Sequence, residues 1–301
     1  MARIIDTLRY HYTTGSMLIK LIFINVGVFL LLRIGALVCA LSGIPEAWWL
    51  HWVELPSDPA TLSRMPWTVV TYMFSQYDAL HILFNMLWFY WFGQIFMLTD
   101  TSRRLVALYI YGGVAGALAF LGVYNLLPAF SHTAGWLIGS SASVIAIVTA
   151  TAIAHPDYKV GLLFLGEVSL KWIAIVTIGI DLISMGGTNA GGHIAHLGGA
   201  AMGAVYGCML RNGRDITRPF NRLLDRIANI FSRPKQPRQR PSSQRDYHYR
   251  PSGNSRRPQE NAKSANDTLD EILDKIRKSG YTSLSADEKR RLFEASKKAD
   301  K

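Results

Sequence analysis

The sequence predicts an all-α membrane protein of six transmembrane helices, followed by a basic amphipathic helix, a disordered linker and a small helical hairpin. Three observations predict it. Half of the 301 residues are hydrophobic and the mean hydropathy is positive. Several apolar runs approach the length needed to cross the ~30 Å hydrocarbon core of a bilayer. The formal net charge of +11 is confined to the tail, because residues 1–210 hold nine Lys/Arg and nine Asp/Glu while residues 211–301 hold 23 and 12. Beside a membrane this asymmetry fits the positive-inside bias and attraction to anionic headgroups. No nucleic-acid partner is expected.

The spans follow in order. Met1–Ser16 is mixed polar and aromatic with no A-x-A-like cleavage site, so the apolar run from Met17 to Leu41 reads as a retained first span. Lys20 can snorkel at one end, and Arg33 needs a partner or a wet face. The loop from Ser42 to about Asp78 carries Trp48, Trp49, Trp52 and Trp67 among four prolines, which suits the headgroup region. Further spans run from Ala79 to Leu98, Leu105 to Leu127, Trp136 to Ala154, Leu170 to Met185 and Ala190 to Leu210, with Val160–Val168 as a short interfacial segment. Arg103, Arg104, Lys159, Lys171 and the tail share one side, so both termini are expected in the cytoplasm. The resulting boundaries are 1–210 for the bundle, 211–231 for the basic amphipathic helix, 232–265 for the Pro/Arg/Ser/Gln-rich linker and 266–301 for the hairpin. Asp267 and the capping box Ser285-x-x-Glu288 start the hairpin's two helices. Cys39 and Cys208 both fall in spans and suggest neither a disulfide framework nor a CxxC metal site.

On this topology the second, fourth and sixth spans descend from the same face. Each carries polar residues about 3–10 Å below its start, at 1.5 Å per residue. His81 and Asn85 are one helical turn apart on one face, Ser141 lies in the run Gly139-Ser140-Ser141-Ala142, and His196 precedes Leu197-Gly198-Gly199. Gly199, Gly203 and Gly207 repeat every fourth residue and allow close helix approach. That approach would bring the His196 imidazole to the Ser141 hydroxyl, the arrangement an acyl-transfer site requires. Asp181 is the only carboxylate at that level, but its spacing does not tie it to His196, and a Ser–His dyad is the simpler arrangement. Ser140 and Ser143 are decoys, Ser140 lying about 100° around the helix from Ser141, His193 lies toward the water at the helix mouth, and His51 and His132 sit in solvated loops. No H-E-x-x-H pattern exists, and neither a metal nor a cofactor is expected.

These residues resemble the motifs of the rhomboid intramembrane serine proteases. His81-Ile82-Leu83-Phe84-Asn85 matches H-x-x-x-N, Gly139-Ser140-Ser141-Ala142 resembles G-x-S-G, and Ala195-His196-Leu197-Gly198-Gly199 resembles A-H-x-x-G, in the family's order. The resemblance covers about residues 15–210. It implies Ser141 as nucleophile, His196 as general base, and an oxyanion hole from His81, Asn85 and the Ser141 N–H. It further implies transmembrane protein substrates and a lateral gate at the fifth span. Two positions depart from the pattern. Ala142 replaces the usual Gly, adding a methyl that either narrows the substrate pocket or tightens helix packing, and Thr68 follows Trp67 where many members have Arg.

The expected activity is therefore hydrolysis of transmembrane substrates near the extracytoplasmic face. A catalytically inactive relative that binds membrane clients is the alternative. A transporter is disfavoured by the lack of paired intramembrane charges and repeated halves. Compact loops and the absence of a targeting peptide suggest a bacterial inner membrane.

Overall fold

The computed structural model describes residues 12–130, 133–162, 166–185, 187 and 189–231, together with residues 6 and 10 and, in the tail, 272, 274–276, 284, 285, 287–290 and 292. The chain divides into two units, Met1–Gln236 and Pro237–Lys301.

The first unit opens with helix α1 (Met17–Leu41). The long loop is ordered into α2 (Glu46–Leu50), β1 (Leu55–Pro56), α3 (Pro59–Arg64), α4 (Thr68–Thr71) and a 3-10 turn, Tyr72–Phe74. There follow α5 (Ala79–Phe96), α6 (Ser102–Leu126), β2 (Trp136–Leu137), α7 (Ser141–Ala154), the strands β3 (Lys159–Leu162) and β4 (Gly166–Ser169), then α8 (Leu170–Ser184), α9 (Ala190–Arg211) and α10 (Arg218–Phe231). Side-chain caps start several of these helices. Asp58, Asp78 and Thr101 each accept a first-turn N–H, of Thr61, His81 and Arg104, and such caps are worth about 1 kcal/mol each.

Helices α1, α5 and α6 are long and apolar enough to cross a membrane by length and composition. Six spans were expected. Helix α7 is apolar but has only 14 residues, about 21 Å of helix, and α8 has 15. In α9 glycines, alanines and two histidines dilute the apolar character.

The fourth predicted span also starts late, at Ser141 rather than Trp136. Trp136 and Leu137 instead pair antiparallel with Pro56 and Leu55, and the Ser57 N–H donates to the Gly135 carbonyl at 2.9 Å. The short segment Val160–Val168 was expected without a defined secondary structure. Val160 pairs with Val168 in an antiparallel hairpin, and Gly166 takes a φ of +69° that favours glycine.

Helix α7 is the centre of the bundle. Its residues from Ala142 through Ala152 are all buried, and α5, α6, α8 and α9 pack around it. Outward-facing apolar side chains such as Leu31, Ile34 and Leu37 on α1 and Trp172, Ile175 and Ile183 on α8 are exposed. Such a face suits lipid rather than water. Arg33 finds its partner in the Tyr77 ring, 4.4 Å from its guanidinium carbon.

At the opposite end Arg104 bridges Asp100 and Asp215 at 3.1 and 2.9 Å, and Tyr206 donates a short hydrogen bond to Asp100. Arg103 pairs with Asp225 at 2.9 Å, tying α10 to the start of α6. Leu223, Leu224 and Ile227 of α10 are exposed. In the second unit the capping box is formed, with Glu288 accepting the Ser285 N–H at 2.7 Å. The linker expected at 232–265 and most of the expected hairpin lie outside the described residues.

Candidate functional site

Each element brings its polar residue forward for a local reason. Asp78 caps α5 through the His81 N–H, at 2.7 Å, which sets His81 in the first turn and Asn85 one turn below on the same face. Gly139 has a φ of +136°, a conformation a residue with a Cβ rarely adopts, and its N–H donates to the Tyr72 carbonyl at 3.0 Å. That turn lets α7 begin at Ser141. First-turn N–H groups have no carbonyl within the helix to bond, and the helix dipole makes this end positive. Ser141 therefore presents both a hydroxyl and a backbone donor.

Helix α9 approaches α7 closely because of its glycines. A Cβ added at Gly199 would collide with the Ala142 carbonyl, and one at Gly203 with the Ala146 carbonyl. The approach sets His196 Nε2 2.6 Å from Ser141 Oγ. On its other side His196 Nδ1 lies 2.8 Å from Asp181 Oδ1 of α8. His193 Nδ1 lies 2.8 Å from the same oxygen. With the His196 Nδ1–H donating to the carboxylate, Nε2 is left to accept the Ser141 hydroxyl, a tautomer assigned from its partners. Asp181, His193 and His196 keep their donor atoms within 4.8 Å of one another, close enough for a single cation to bridge them.

His81, Asn85, Ser141, Asp181 and His196 all line one cavity of about 390 Å³, walled by Phe84 and Trp88 of α5 and by Thr177 and Ile180 of α8. The Asn85 amide is held from behind. Its Nδ2 donates to Gln76 Oε1 at 2.8 Å, while Gln76 Nε2 donates to Ser140 Oγ at 3.0 Å and to Asn25 Oδ1 at 3.3 Å. Tyr109 extends the network by donating to the Met73 carbonyl at 2.7 Å. Gln76, Ser140 and Asn25 are buried, and a buried network satisfied in this way is rigid. One Asn85 N–H remains for the cavity.

The structure thus gathers the predicted serine, both predicted histidines and the asparagine, and it turns Ser140 into the polar network. His193 is not simply a residue facing water, since it shares Asp181 with His196. His51 stacks on Trp136 at 3.7 Å and is not among the residues lining the cavity, and His132 lies outside the described residues. The Ala142 methyl packs toward Gly116 of α6, where an added Cβ would meet it, and not into the cavity. The loop is anchored without an arginine after Trp67. Trp67 Nε1 donates to the Trp52 carbonyl and Thr71 Oγ1 to that of Val53, each at 3.0 Å.

Of two further contributors, Asp181 was set aside in the sequence in favour of a dyad and Gln76 was missed. Asp181 carried a signal, since a lone carboxylate in an apolar helix needs a partner and His193 and His196, three apart, share a helix face. Gln76 carried none, because two of its three partners, Asn25 and Ser140, are more than fifty residues away in sequence.

A family model described as Rhomboid domain matches residues 63–213, and one described as a family of unknown function matches residues 258–298. RHOMBOID-like protein 12, mitochondrial, of Arabidopsis thaliana is 32% identical over 161 residues, covering 49% of this chain and 47% of that protein. Presenilin-associated rhomboid-like protein A, mitochondrial, of Danio rerio is 28% identical over 155 residues, covering 50% of this chain and 39% of that protein. The chain thus spans less than half the length of either relative. Both relatives carry "mitochondrial" in their names, which overturns the expectation of a bacterial inner membrane; loop compactness is a weak guide to the compartment.

Proposed function

The chain belongs to the rhomboid family, and we propose that it is an intramembrane serine endopeptidase acting on transmembrane proteins. The observation that carries this reading is the 2.6 Å contact between His196 Nε2 and Ser141 Oγ in a cavity that His81 and Asn85 also line. Ser141 Oγ attacks the substrate carbonyl carbon as its proton passes to His196 Nε2, and the imidazolium returns that proton to the leaving amine. Water, deprotonated by the same nitrogen, then attacks the acyl-enzyme, releasing a carboxylate and restoring the serine. His81, Asn85 and the Ser141 N–H stabilise the oxyanion. Asp181 holds His196 in the accepting tautomer, so the proposed machinery is a triad rather than the simpler dyad.

We read six spans, α1, α5 and α6 together with the shorter or less apolar α7, α8 and α9. The site then lies a few ångströms below the face on which α5, α7 and α9 begin. Helix α8 has only Leu170, Ala174 and Asp181 fully buried, which supports it as the side from which substrate enters. The exposed apolar residues of α10 among its arginines suit an anionic lipid surface. The relatives' names support a mitochondrial membrane as the location.

Cleavage of a reporter transmembrane substrate in proteoliposomes tests the activity. Product from the wild type and from Ser140→Ala, with none from Ser141→Ala or His196→Ala, is the expected result. Equal cleavage by Ser141→Ala would overturn it.

A further inference from the structure

We propose that Asp181, His193 and His196 form a binding site for a divalent transition cation of the zinc type, and that the ion switches the proposed protease off. The switching half rests on the proposed function; the site itself does not. Two imidazoles and a carboxylate are a donor set that suits Zn²⁺ and its neighbours rather than Mg²⁺ or Ca²⁺. Here the donor atoms already converge, since both Nδ1 atoms lie 2.8 Å from Asp181 Oδ1 and all three lie within 4.8 Å of one another. A tetrahedral ion with bonds of about 2.0–2.1 Å sets its ligands roughly 3.3 Å apart, so each imidazole–carboxylate pair, at 2.8 Å, opens by about half an ångström while the two Nδ1 atoms, within 4.8 Å, settle to the same spacing. The two rings stand nearly perpendicular, at 82°, and do not block each other's approach to a common point. Water reaches the place, because Asp181 and His196 line the open cavity and the His193 side chain is 21% exposed.

The consequence follows from the tautomer. An ion bound at His196 Nδ1 takes that nitrogen's lone pair, so the ring proton must reside on Nε2. Nε2 then donates and cannot accept the Ser141 proton. The ion also takes Asp181 away from its role in holding the catalytic tautomer. Ion binding and general-base catalysis therefore exclude each other, since the Nδ1–H bonds of both His193 and His196 break as the ion binds and each neutral ring then carries its proton on Nε2. His193 makes the difference, since without it His196 and Asp181 offer two ligands, too few for a stable zinc site.

The test uses full-length protein with its purification tag removed. Calorimetric titration of Ser141→Ala with Zn²⁺ is expected to show one ion per chain, weakened at least tenfold by adding His193→Gln or Asp181→Asn, while thermal melts without metal confirm that these variants are folded. In parallel, Zn²⁺ is expected to block fluorophosphonate labelling of the wild type, with EDTA restoring it. Labelling of His193→Gln, normalised to its own rate in EDTA, should need at least tenfold more Zn²⁺ to block. No binding, or binding and inhibition unchanged in a folded His193→Gln, would overturn the site. Should the ion bind as described while the wild type never labels in EDTA, the site stands and the protease reading falls.

Discussion

Asp181 is a carboxylate in an apolar helix, and its cost is met by two imidazole N–H groups 2.8 Å away. In the proposed mechanism it is a positioning residue, which would act on the turnover step and not on substrate binding. Asp181→Asn is expected to lower kcat by about 10²–10⁴-fold with KM within a few-fold of the wild type, as read from initial rates on a reporter substrate. A rise in KM at unchanged kcat would contradict this role. Asn85→Ala removes a proposed oxyanion donor and is expected to lower kcat by ~10²–10³. At this scale the sequence is informative about residues grouped by helical spacing, such as His81 with Asn85. It is silent on Gln76, whose hydrogen bonds to Asn85, Ser140 and Asn25 exist only once three separate elements have assembled.

Between elements, the contact that matters most is α9 against α7, where glycines replace side chains. Gly199→Ala and Gly203→Ala would each press a methyl into a backbone carbonyl. Overpacking of this kind costs about 1–3 kcal/mol, and here it also separates His196 from Ser141. Both variants are expected to melt lower and to lose labelling together. Retention of full labelling by Gly199→Ala would contradict the packing argument. Ala142→Gly removes a methyl that faces Gly116 of α6, so its activity is expected to stay near that of the wild type, a cleavage-rate measurement that separates helix packing from a substrate pocket. The repeat of small residues on α9 was legible in the sequence. The start of α7 was not, because an apolar run through Trp136 looks helical until β1 claims Trp136 and Leu137 and Gly139 turns the chain. Gly135 and Gly139 were its only local marks.

Across the whole molecule, the order of helices and the bounds of α8 follow from apolar periodicity and cap residues, while the short length of α7 reflects pairing with β1 that no local pattern encodes. The basic end is held by charge. Burial raises the Asp215 carboxyl, but the Thr217 hydroxyl and N–H and the Arg104 guanidinium outweigh it and hold the group below its ordinary value of 3.8. A depressed carboxylate contributes stability that is fully present above its unfolded value and lost as pH falls through the folded one. The junction between α6 and the segment preceding α10 is therefore expected to loosen below about pH 4, seen as faster proteolysis after Arg211, and Asp215→Asn should loosen it at neutral pH. Activation of Ser141 as a nucleophile by His196 is read out by fluorophosphonate labelling of detergent-purified protein in EDTA, with the modified residue located by mass spectrometry. The adduct is expected on Ser141, retained in Ser140→Ala and absent from His196→Ala. An adduct on another serine, or none on folded wild-type protein, would contradict it.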